Sequence, residues 1–243
     1  MATEYNPRIV TDNLLLYLDA ANTKSYSGSG ATWTDISGTG NNGTLIGSPT
    51  YSSNNGGYFD LDGTEYIKLP IDDDANFGSY WSFDMWAYLD RDSVDTQTYA
   101  NYYSPQGLFT MSSEADWNGG TSTNSGFAFG WNKVHYKQDG GSTQTYLSWT
   151  GPSVRTWHHF GMTLNNGTGT SYINGVSVAS ATNFQDSFDG SSGQKAICIT
   201  DTYGGTVRGR FEGYISNFKF YTKTLSAAEV KQNYDAVKTR HGL

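Results

Sequence analysis

Short runs of apolar and aromatic residues alternate with clusters of Gly, Asn and Ser along almost the whole chain, and this alternation limits the folds it can adopt. Of the 243 residues, 29 are Gly, 18 are Tyr and 7 are Trp. Aromatic residues favour strands, whereas Gly, Asn and Ser favour tight turns. The pattern therefore predicts an all-β protein, an antiparallel two-sheet sandwich. The predicted strands cover residues 58–61, 66–69, 81–89, 107–111, 127–131, 146–149, 157–164, 171–173, 176–179, 196–199 and 210–221.

The clearest local prediction is a hairpin between residues 157 and 178. Phe160, Met162 and Leu164 recur with a period of two, so they share one face of a strand, and we expect that face to meet the core. The dipeptide Asn174-Gly175 supplies the two residues with positive φ that a type I′ turn requires.

One short α-helix is predicted at the C-terminal end. Ser226 and Glu229 have the spacing of a capping box, and Val230, Tyr234 and Val237 follow at helical spacing. We expect this helix to cover residues 226–239 and to close a single domain of residues 13–243.

Residues 1–12 precede the apolar stretch Leu14–Leu18 and have a different character. They are polar, include Pro7 and show no periodicity, so we interpret them as an extended arm that either docks on a partner or frays. They contain no charged segment followed by an apolar one, so no signal peptide is predicted and we expect synthesis in a cytoplasm.

Charge and composition exclude several classes of partner. The formal net charge is -8, and nucleic acid is not an expected partner because phosphate binding requires clustered Lys and Arg. No apolar run approaches the roughly 20 residues that cross a bilayer, so no membrane partner is expected. Cys198 is the sole cysteine, which excludes an internal disulfide, and its apolar neighbours predict a buried strand rather than a reactive thiol.

The glycines Gly38, Gly40 and Gly43 have the spacing of a dinucleotide-binding motif. That motif requires a buried strand before it and a helix after it, and residues 44–49 cannot begin a helix. No cofactor is therefore expected.

Six segments carry a family resemblance: Leu14–Ala20, Ser25–Leu45, Leu61–Ile67, the hairpin 157–175, Glu212–Tyr221 and Leu225–Glu229. Together, and in this order along the chain, they resemble the laminin-G-like, or concanavalin A-like, jelly-roll family. The resemblance implies an antiparallel two-sheet jelly-roll sandwich with a short C-terminal helix. The opening block of the sequence is most similar to the version of this domain found in structural proteins of tailed-phage virions, although similar domains occur in secreted bacterial proteins.

The fold that this resemblance implies hosts glycoside hydrolases and lectins, so catalysis has to be judged from the residues themselves. The glucanase relatives carry Glu-x-Asp-x-x-Glu, and no such string is present. Asp84 and Asp90 are six residues apart on one predicted strand, or about 20 Å, too far for a retaining glycosidase. The adjacent His158 and His159 point to opposite faces and cannot share a metal. We therefore expect no enzymatic activity.

Candidate contact residues lie in loops and on one strand face. The loop residues Asp72, Asp73 and Asp74 are weak calcium candidates, against the alternative of a solvated loop. Phe83, Met85, Ala87 and Leu89 form one face of a strand and leave Asp84, Trp86 and Tyr88 on the other. That second face is interpreted first as covered by packing and alternatively as a sugar platform. Exposed contact is predicted in two further loops, at Tyr102 and Tyr103 and at Trp117 and Asn118.

The preferred hypothesis is a non-enzymatic structural protein of a tailed-phage virion. It would decorate or cement the capsid, or form part of a fibre, and contact coat proteins through the arm and the sandwich surface. The alternative is a lectin domain that binds host surface glycans. A homo-oligomer is compatible with either role, although no coiled-coil heptad enforces one. A module cut from a larger adhesion protein is less expected, because Met1 and both chain ends look complete.

Overall fold

In the computed structural model, two antiparallel sheets pack face to face. The structure describes residues 8–71, 78–90, 106–112, 126–137, 144–184, 195–198, 201–203, 206–208 and 211–243. The helix-side sheet contains β1 (Leu14–Asp19), β4 (Thr50–Ser52), β5 (Tyr58–Asp62), β7 (Tyr80–Leu89), β12 (Trp157–Asn165), β13 (Thr168–Ile173), β14 (Val176–Ala181) and β18 (Glu212–Tyr221). The second sheet contains β2 (Thr32–Trp33), β3 (Gly43–Ile46), β6 (Tyr66–Lys68), β8 (Gly107–Ser112), β9 (Gly126–Gly130), β10 (Lys133–Lys137), β11 (Gln144–Ser148) and β15 (Lys195–Ile197). A separate hairpin pairs β16 (Asp201–Tyr203) with β17 (Thr206–Arg208). The predicted all-β sandwich is confirmed.

The strands of the helix-side sheet run in the order β14-β13-β12-β7-β18-β5-β4. Strand β18 is long enough to pair with two strands along one edge, with β5 along residues 212–215 and with β1 along residues 217–221. A bulge between Ile215 and Asn217 interrupts its pairing with β7 on the other edge. Strand β18, near the C-terminus, therefore lies between β7 on one edge and β5 and β1, which come from the N-terminal part of the chain, on the other.

The core lies between the two sheets and is rich in aromatic side chains. Phe83 on β7 contacts Phe109 on β8, with ring centroids 4.7 Å apart, and Trp81 stacks on Phe127 of β9 at 5.2 Å. Phe160 is also fully buried. Alternate residues of each strand point inward because side chains on a strand have a period of two, so the predicted core faces of β7 and β12 are confirmed.

The predicted hairpin and helix are both present. Asn174 and Gly175 have φ values of 51° and 76°, as the type I′ turn between β13 and β14 requires. Helix α1 covers Ala227–Val237, and the Ser226 side chain caps it reciprocally with Glu229. The regular helix ends before the predicted residue 239, because residues 238–241 tighten into a 3-10 turn. None of the helices in the described part of the chain has the length and apolar character of a membrane span.

The glycine-rich loop after β2 is organised by one carboxylate. Asp35 accepts hydrogen bonds from the backbone N–H groups of Tyr17, Ser37, Gly40 and Asn41, at 2.8–3.0 Å. Burial would raise the pKa of Asp35, but the bonds from the Tyr17 and Ser37 backbone N–H groups and from the Ser37 and Thr39 hydroxyls hold it below its usual range. The loop leads into strand β3 and not into a helix, as expected for residues 44–49.

Candidate functional site

The outer face of the helix-side sheet, which points away from the core, consists of a covered part and an open part. Helix α1 and the 3-10 turn after it lie over the covered part, where Asp84 and Trp86 are buried. The open part lies at the other end of strand β7, around the half-buried Tyr88. Of Asp84, Trp86 and Tyr88, only Tyr88 is accessible to ligands in solution.

Buried charges occupy the covered part. The Lys219 Nζ lies 2.6 Å from the Asp84 Oδ1, and Asn233 of helix α1 donates from Nδ2 to Oδ2 at 2.7 Å. The Nε2 of His159 lies 3.3 Å from the same Oδ1. Burial would raise the pKa of Asp84, but Lys219 and His159 hold it well below its usual range. This carboxylate is fully engaged within the protein and has no surface to offer a sugar.

The N-terminal segment and the 3-10 turn complete this cover. The backbone N–H of Val10 donates to the Asn233 Oδ1 at 2.7 Å, so residues 8–12 lie against helix α1. Arg240 binds the carboxylate of Asp19 through two nitrogens, at 2.7 and 3.1 Å. Two-point guanidinium pairs of this kind fix geometry, so the 3-10 turn is held against Asp19 of β1, on the same face as residues 8–10.

Four aromatic rings pack against one another on the open part: Tyr88 and Tyr214 are stacked, the other pairs are tilted or edge-on, and the rings of Tyr58 and Trp157 also meet, with centroids 6.0 Å apart. The ring centroids of Tyr58 and Tyr214 are 4.6 Å apart, those of Tyr214 and Tyr88 are 4.8 Å apart, and those of Tyr88 and Trp157 are 5.7 Å apart. We call Tyr58, Tyr214, Tyr88 and Trp157 the aromatic row. Strand register produces it, because Tyr88 pairs directly with Tyr214 on one side and with Trp157 on the other.

The members of the aromatic row differ in accessibility. Trp157 is buried against the ring of His241, with centroids 4.3 Å apart. Tyr58 is half-buried, and its cross-strand neighbour on the edge strand β4 is the small Ser52. The Tyr58 ring packs against Tyr214 and Trp157, and the serine side chain is too small to cover it, so the accessible side of Tyr58 is the one towards β4; we call this side the open end of the aromatic row.

Carboxylates surround this open end. Asp60 is exposed, follows Tyr58 by two residues on the same face of β5 and pairs with Tyr214 across the sheet. Partial burial, followed by the charges of Asp90 and Asp62, raises the pKa of Asp60. The Tyr214 hydroxyl donates to the Asp90 Oδ2 at 2.9 Å. The open end therefore combines an aromatic face with hydrogen-bond acceptors a few ångströms away.

The structure separates the site residues that were predicted from the sequence. Asp84 and Trp86 are covered by helix α1, whereas Tyr88 belongs to the aromatic row. The other predicted residues lie outside the described residues. Calcium binding at Asp72, Asp73 and Asp74 and ligand contact at Tyr102, Tyr103, Trp117 and Asn118 therefore stay predictions. Within the described ranges, no three His, Cys, Asp or Glu side chains form a metal-ligand cluster.

Sequence reasoning missed Tyr58, Asp60, Tyr214 and Trp157 as site residues. A signal for two of them was present, because Tyr58 and Asp60 alternate with the apolar Phe59 and Leu61 and so had to point outward. Nothing in the sequence indicated that Tyr214, over 150 residues further along the chain, would stack on Tyr58.

Solved structures show the same fold at low sequence identity. Domain 4 of AbnA, a GH43 extracellular arabinanase from Geobacillus stearothermophilus solved in complex with arabinotriose, aligns with a TM-score of 0.66 and 18% identity, over 91% of this chain and 98% of that one. The Trypanosoma rangeli sialidase in complex with sialic acid aligns with a TM-score of 0.62 and 12% identity, over 94% of this chain and 33% of that one. The binding domain of botulinum neurotoxin DC in complex with SialylT aligns with a TM-score of 0.62 and 13% identity, over 94% and 52%. This chain thus spans about a third of the sialidase and about half of the toxin domain.

Sequence comparison identifies the family. No curated protein sequence matches the chain. The profile of the concanavalin A-like lectin/glucanases superfamily, in its laminin G form, matches residues 61–231, more than two thirds of the chain. The matched segment begins within β5 and continues into helix α1, so it includes most of the helix-side sheet. The chain belongs to the concanavalin A-like lectin/glucanases superfamily.

Proposed function

We propose that this protein is a non-enzymatic carbohydrate-binding domain and that the open end of the aromatic row is its binding site. The observation that carries this proposal is the pair Tyr58 and Asp60 on one face of β5. Residues two apart on a strand are separated by about 6.5 Å. A sugar ring stacked on Tyr58 would therefore bring its hydroxyl groups within reach of the Asp60 carboxylate.

The chemistry of the row supports this role. Sugar-binding sites combine an apolar surface with a few polar groups that fix orientation, and tyrosine supplies both in one side chain. The Tyr214 hydroxyl is already oriented by Asp90. The similarity to an arabinanase domain in complex with arabinotriose is consistent with a glycan ligand, although identity of 18% relates only the folds.

The absence of catalysis is proposed from the position of the acids. Asp84 is held by Lys219 beneath helix α1, whereas Asp90 lies at the exposed end of β7. The described aromatic row thus offers a binding surface and not a buried pair of acids around a cleft. Calcium binding at Asp72, Asp73 and Asp74 is a separate proposal, and a calorimetric calcium titration with no heat and no thermal shift would dispose of it.

A glycan array with two matched tyrosine variants tests the binding proposal. We expect Tyr58→Ala to weaken glycan binding about tenfold, the effect of roughly 1.4 kcal/mol. Tyr80→Ala is the control, because Tyr80 lies on the same outer face at the far end of β7 and is 49% exposed. Unchanged circular dichroism and thermal melting would show that both variants fold. Wild-type protein that binds no glycan, or equal losses in the two variants, would refute the proposal.

A role as a structural protein of a tailed-phage virion is the second proposal, and it is compatible with the first. The sequence resemblance supports it, and one surface favours protein contact: Val176 and Val178 on the edge strand β14 are 61% and 40% exposed. Because residues 8–12 contact their own domain, the segment to test as an arm is residues 1–7. Co-purification with phage particles that persists after deletion of residues 1–7 would argue against the arm, and absence from particles would argue against the role.

A further inference from the structure

The buried ion pair beneath helix α1 has an asparagine amide on its other side. The Lys219 Nζ lies 2.6 Å from the Oδ1 of Asp84, and the Nδ2 of Asn233 donates to the Oδ2 of the same carboxylate at 2.7 Å. All three side chains are at most 1% exposed. Lys219 of β18 is in direct register with Asp84 of β7, whereas Asn233 reaches the pair from helix α1. One carboxylate therefore holds an amine and an amide side by side and away from water.

The other contacts of Asn233 suit an amide that is attacked at its carbonyl carbon. Its Oδ1 accepts a hydrogen bond from the backbone N–H of Val10 at 2.7 Å, and its Nδ2 also donates to the Tyr221 hydroxyl at 2.9 Å. A donor aimed at a carbonyl oxygen stabilises the negative charge that develops there when a nucleophile adds to the carbon. The Val10 N–H is therefore placed as an oxyanion donor, and the Tyr221 hydroxyl helps to fix the plane of the amide.

We propose that Lys219 and Asn233 form an intramolecular isopeptide bond, with Asp84 as the proton carrier. Asp84 takes a proton from the Lys219 ammonium through Oδ1, and the neutral Nζ adds to the Cγ of Asn233. Asp84 then gives this proton to Nδ2 through Oδ2, and the Cγ–Nδ2 bond breaks. A second proton passes from Nζ through Asp84 to the released ammonia, which leaves as ammonium. One Nζ–Cγ bond replaces one Cγ–Nδ2 bond, and Asp84 returns to its ionised form without any oxidant or cofactor.

The ion pair is the state of the site before this reaction. Burial would raise the pKa of Asp84, but Lys219 and His159 hold it well below its usual range, so the neutral amine is a minor species. We therefore expect freshly made protein to retain the ion pair and the cross-linked form to accumulate slowly. Fixed proximity of the amine and the amide favours the reaction, because no encounter step is needed. The product would hold helix α1 covalently on strand β18.

Intact mass measurement and tryptic peptide mapping by tandem mass spectrometry test the proposal. Wild-type protein incubated for a week below its melting temperature should lose the mass of one ammonia molecule. Trypsin should no longer cleave after Lys219, because the amine has become an amide. The expected product is a branched peptide in which residues 211–223 are joined to residues 232–238.

Two lysine variants provide the comparison. Lys219→Arg keeps a cation beside Asp84 but has no amine that can form the bond, so both the mass loss and the branched peptide should disappear. Lys223→Arg is the matched control, because Lys223 lies four residues further along the chain and pairs with Asp12 and Glu229 instead, so both signals should remain. Circular dichroism shows whether each variant folds, and the wild-type peptide map decides the question even if Lys219→Arg does not fold.

Three results would overturn the proposal. The first is wild-type protein that keeps its full mass after the incubation. The second is a mass loss that maps to an Asn-Gly dipeptide such as Asn174-Gly175, where ring closure of the asparagine side chain also releases ammonia. The third is a bond from Lys219 to Asn217, whose Oδ1 lies 3.4 Å from Nζ, because that bond would stay within residues 211–223 and give no branched peptide.

Discussion

Replacement of Lys219 by methionine would test whether the buried ion pair determines the stability of the helix-side sheet. Lys219 and Asp84 are 0% and 1% exposed, and their charged atoms are 2.6 Å apart. Lys219→Met removes the charge and roughly keeps the side-chain length. Among the described residues, Asp84 would then keep Asn233 and His159 as its close polar neighbours, at 2.7 and 3.3 Å.

The expected loss is about 4 kcal/mol of unfolding free energy, because removal of one partner from a buried pair typically costs 3–5 kcal/mol. For a chain of this size, each kcal/mol lowers Tm by about 2–4 °C, so we expect Tm to fall by about 10 °C. Replacement of both partners, as in Asp84→Leu/Lys219→Met, should be far less damaging because no uncompensated charge remains in the core.

The loss should depend on pH in a defined direction. In the wild type the pKa of Asp84 is depressed, so its contribution persists above about pH 4, the unfolded value, and is lost only as pH falls through the folded pKa. In the variant, Asp84 is buried without Lys219, so its pKa rises. Protonation of Asp84 then removes the uncompensated buried charge and with it most of the destabilisation. Protonation of His159 would place a positive charge 3.3 Å from Asp84 and would also reduce the loss of stability in the variant. The stability gap should therefore narrow as pH falls from 7 towards 4.

Urea unfolding followed by tryptophan fluorescence, at several pH values, measures this gap. Lys231→Met is the control, since Lys231 pairs with Asp235 on the solvent side of helix α1 and is 46% exposed. Exposed pairs contribute about 0–1 kcal/mol. A loss for Lys219→Met that is no larger than the control, or a gap that stays constant with pH, would refute the reasoning.

Three further predictions follow from local geometry. Gly213→Ala should cost at least about 3 kcal/mol in urea unfolding, because a Cβ there would lie 2.1 Å from the carbonyl oxygen of Tyr88, and overpacking of this kind is strongly destabilising. Gly30→Ala, with φ of +99° and open space around it, should cost only about 1–2 kcal/mol, and equal losses would contradict the steric explanation. Asp35→Ala should cost about 2–3 kcal/mol at pH 7, and the deficit should shrink as pH falls below about 4, since the lowered pKa of Asp35 makes its contribution vanish in acid. The thiol of Cys198 should react with Ellman's reagent orders of magnitude more slowly in native than in denatured protein, because burial raises its pKa well above the usual value; rapid native labelling would show that it is exposed.

Periodicity and turn chemistry were sufficient to predict most of the strands. The alternation in Phe83, Met85, Ala87 and Leu89 correctly assigned the core face of β7, because period-two burial is a local property of a strand. The short strands β2, β3 and β4 were not predicted, since two to four residues are too few for a periodicity to emerge.

The candidate site was less accessible to prediction. The outer face of β7 was identified correctly as Asp84, Trp86 and Tyr88, with packing favoured over ligand contact. The sequence could not show which residues of this face are covered and which are open. An amphipathic helix sequence indicates that one side of the helix is buried, but it does not indicate which strand that side packs against. Helix α1 covers Asp84 and Trp86 and leaves Tyr88 half-buried.

The sequence by itself determined the fold class, the type I′ turn at Asn174 and Gly175, the capped terminal helix and the overall negative charge. Each of these depends on neighbouring residues or on composition. Tertiary structure alone decided that Tyr58, Tyr214 and Tyr88 pack together and that Asp84 is buried against Lys219. Strand order and register bring these residues together across long separations along the chain, and register depends on the hydrogen bonding and burial of the whole sheet.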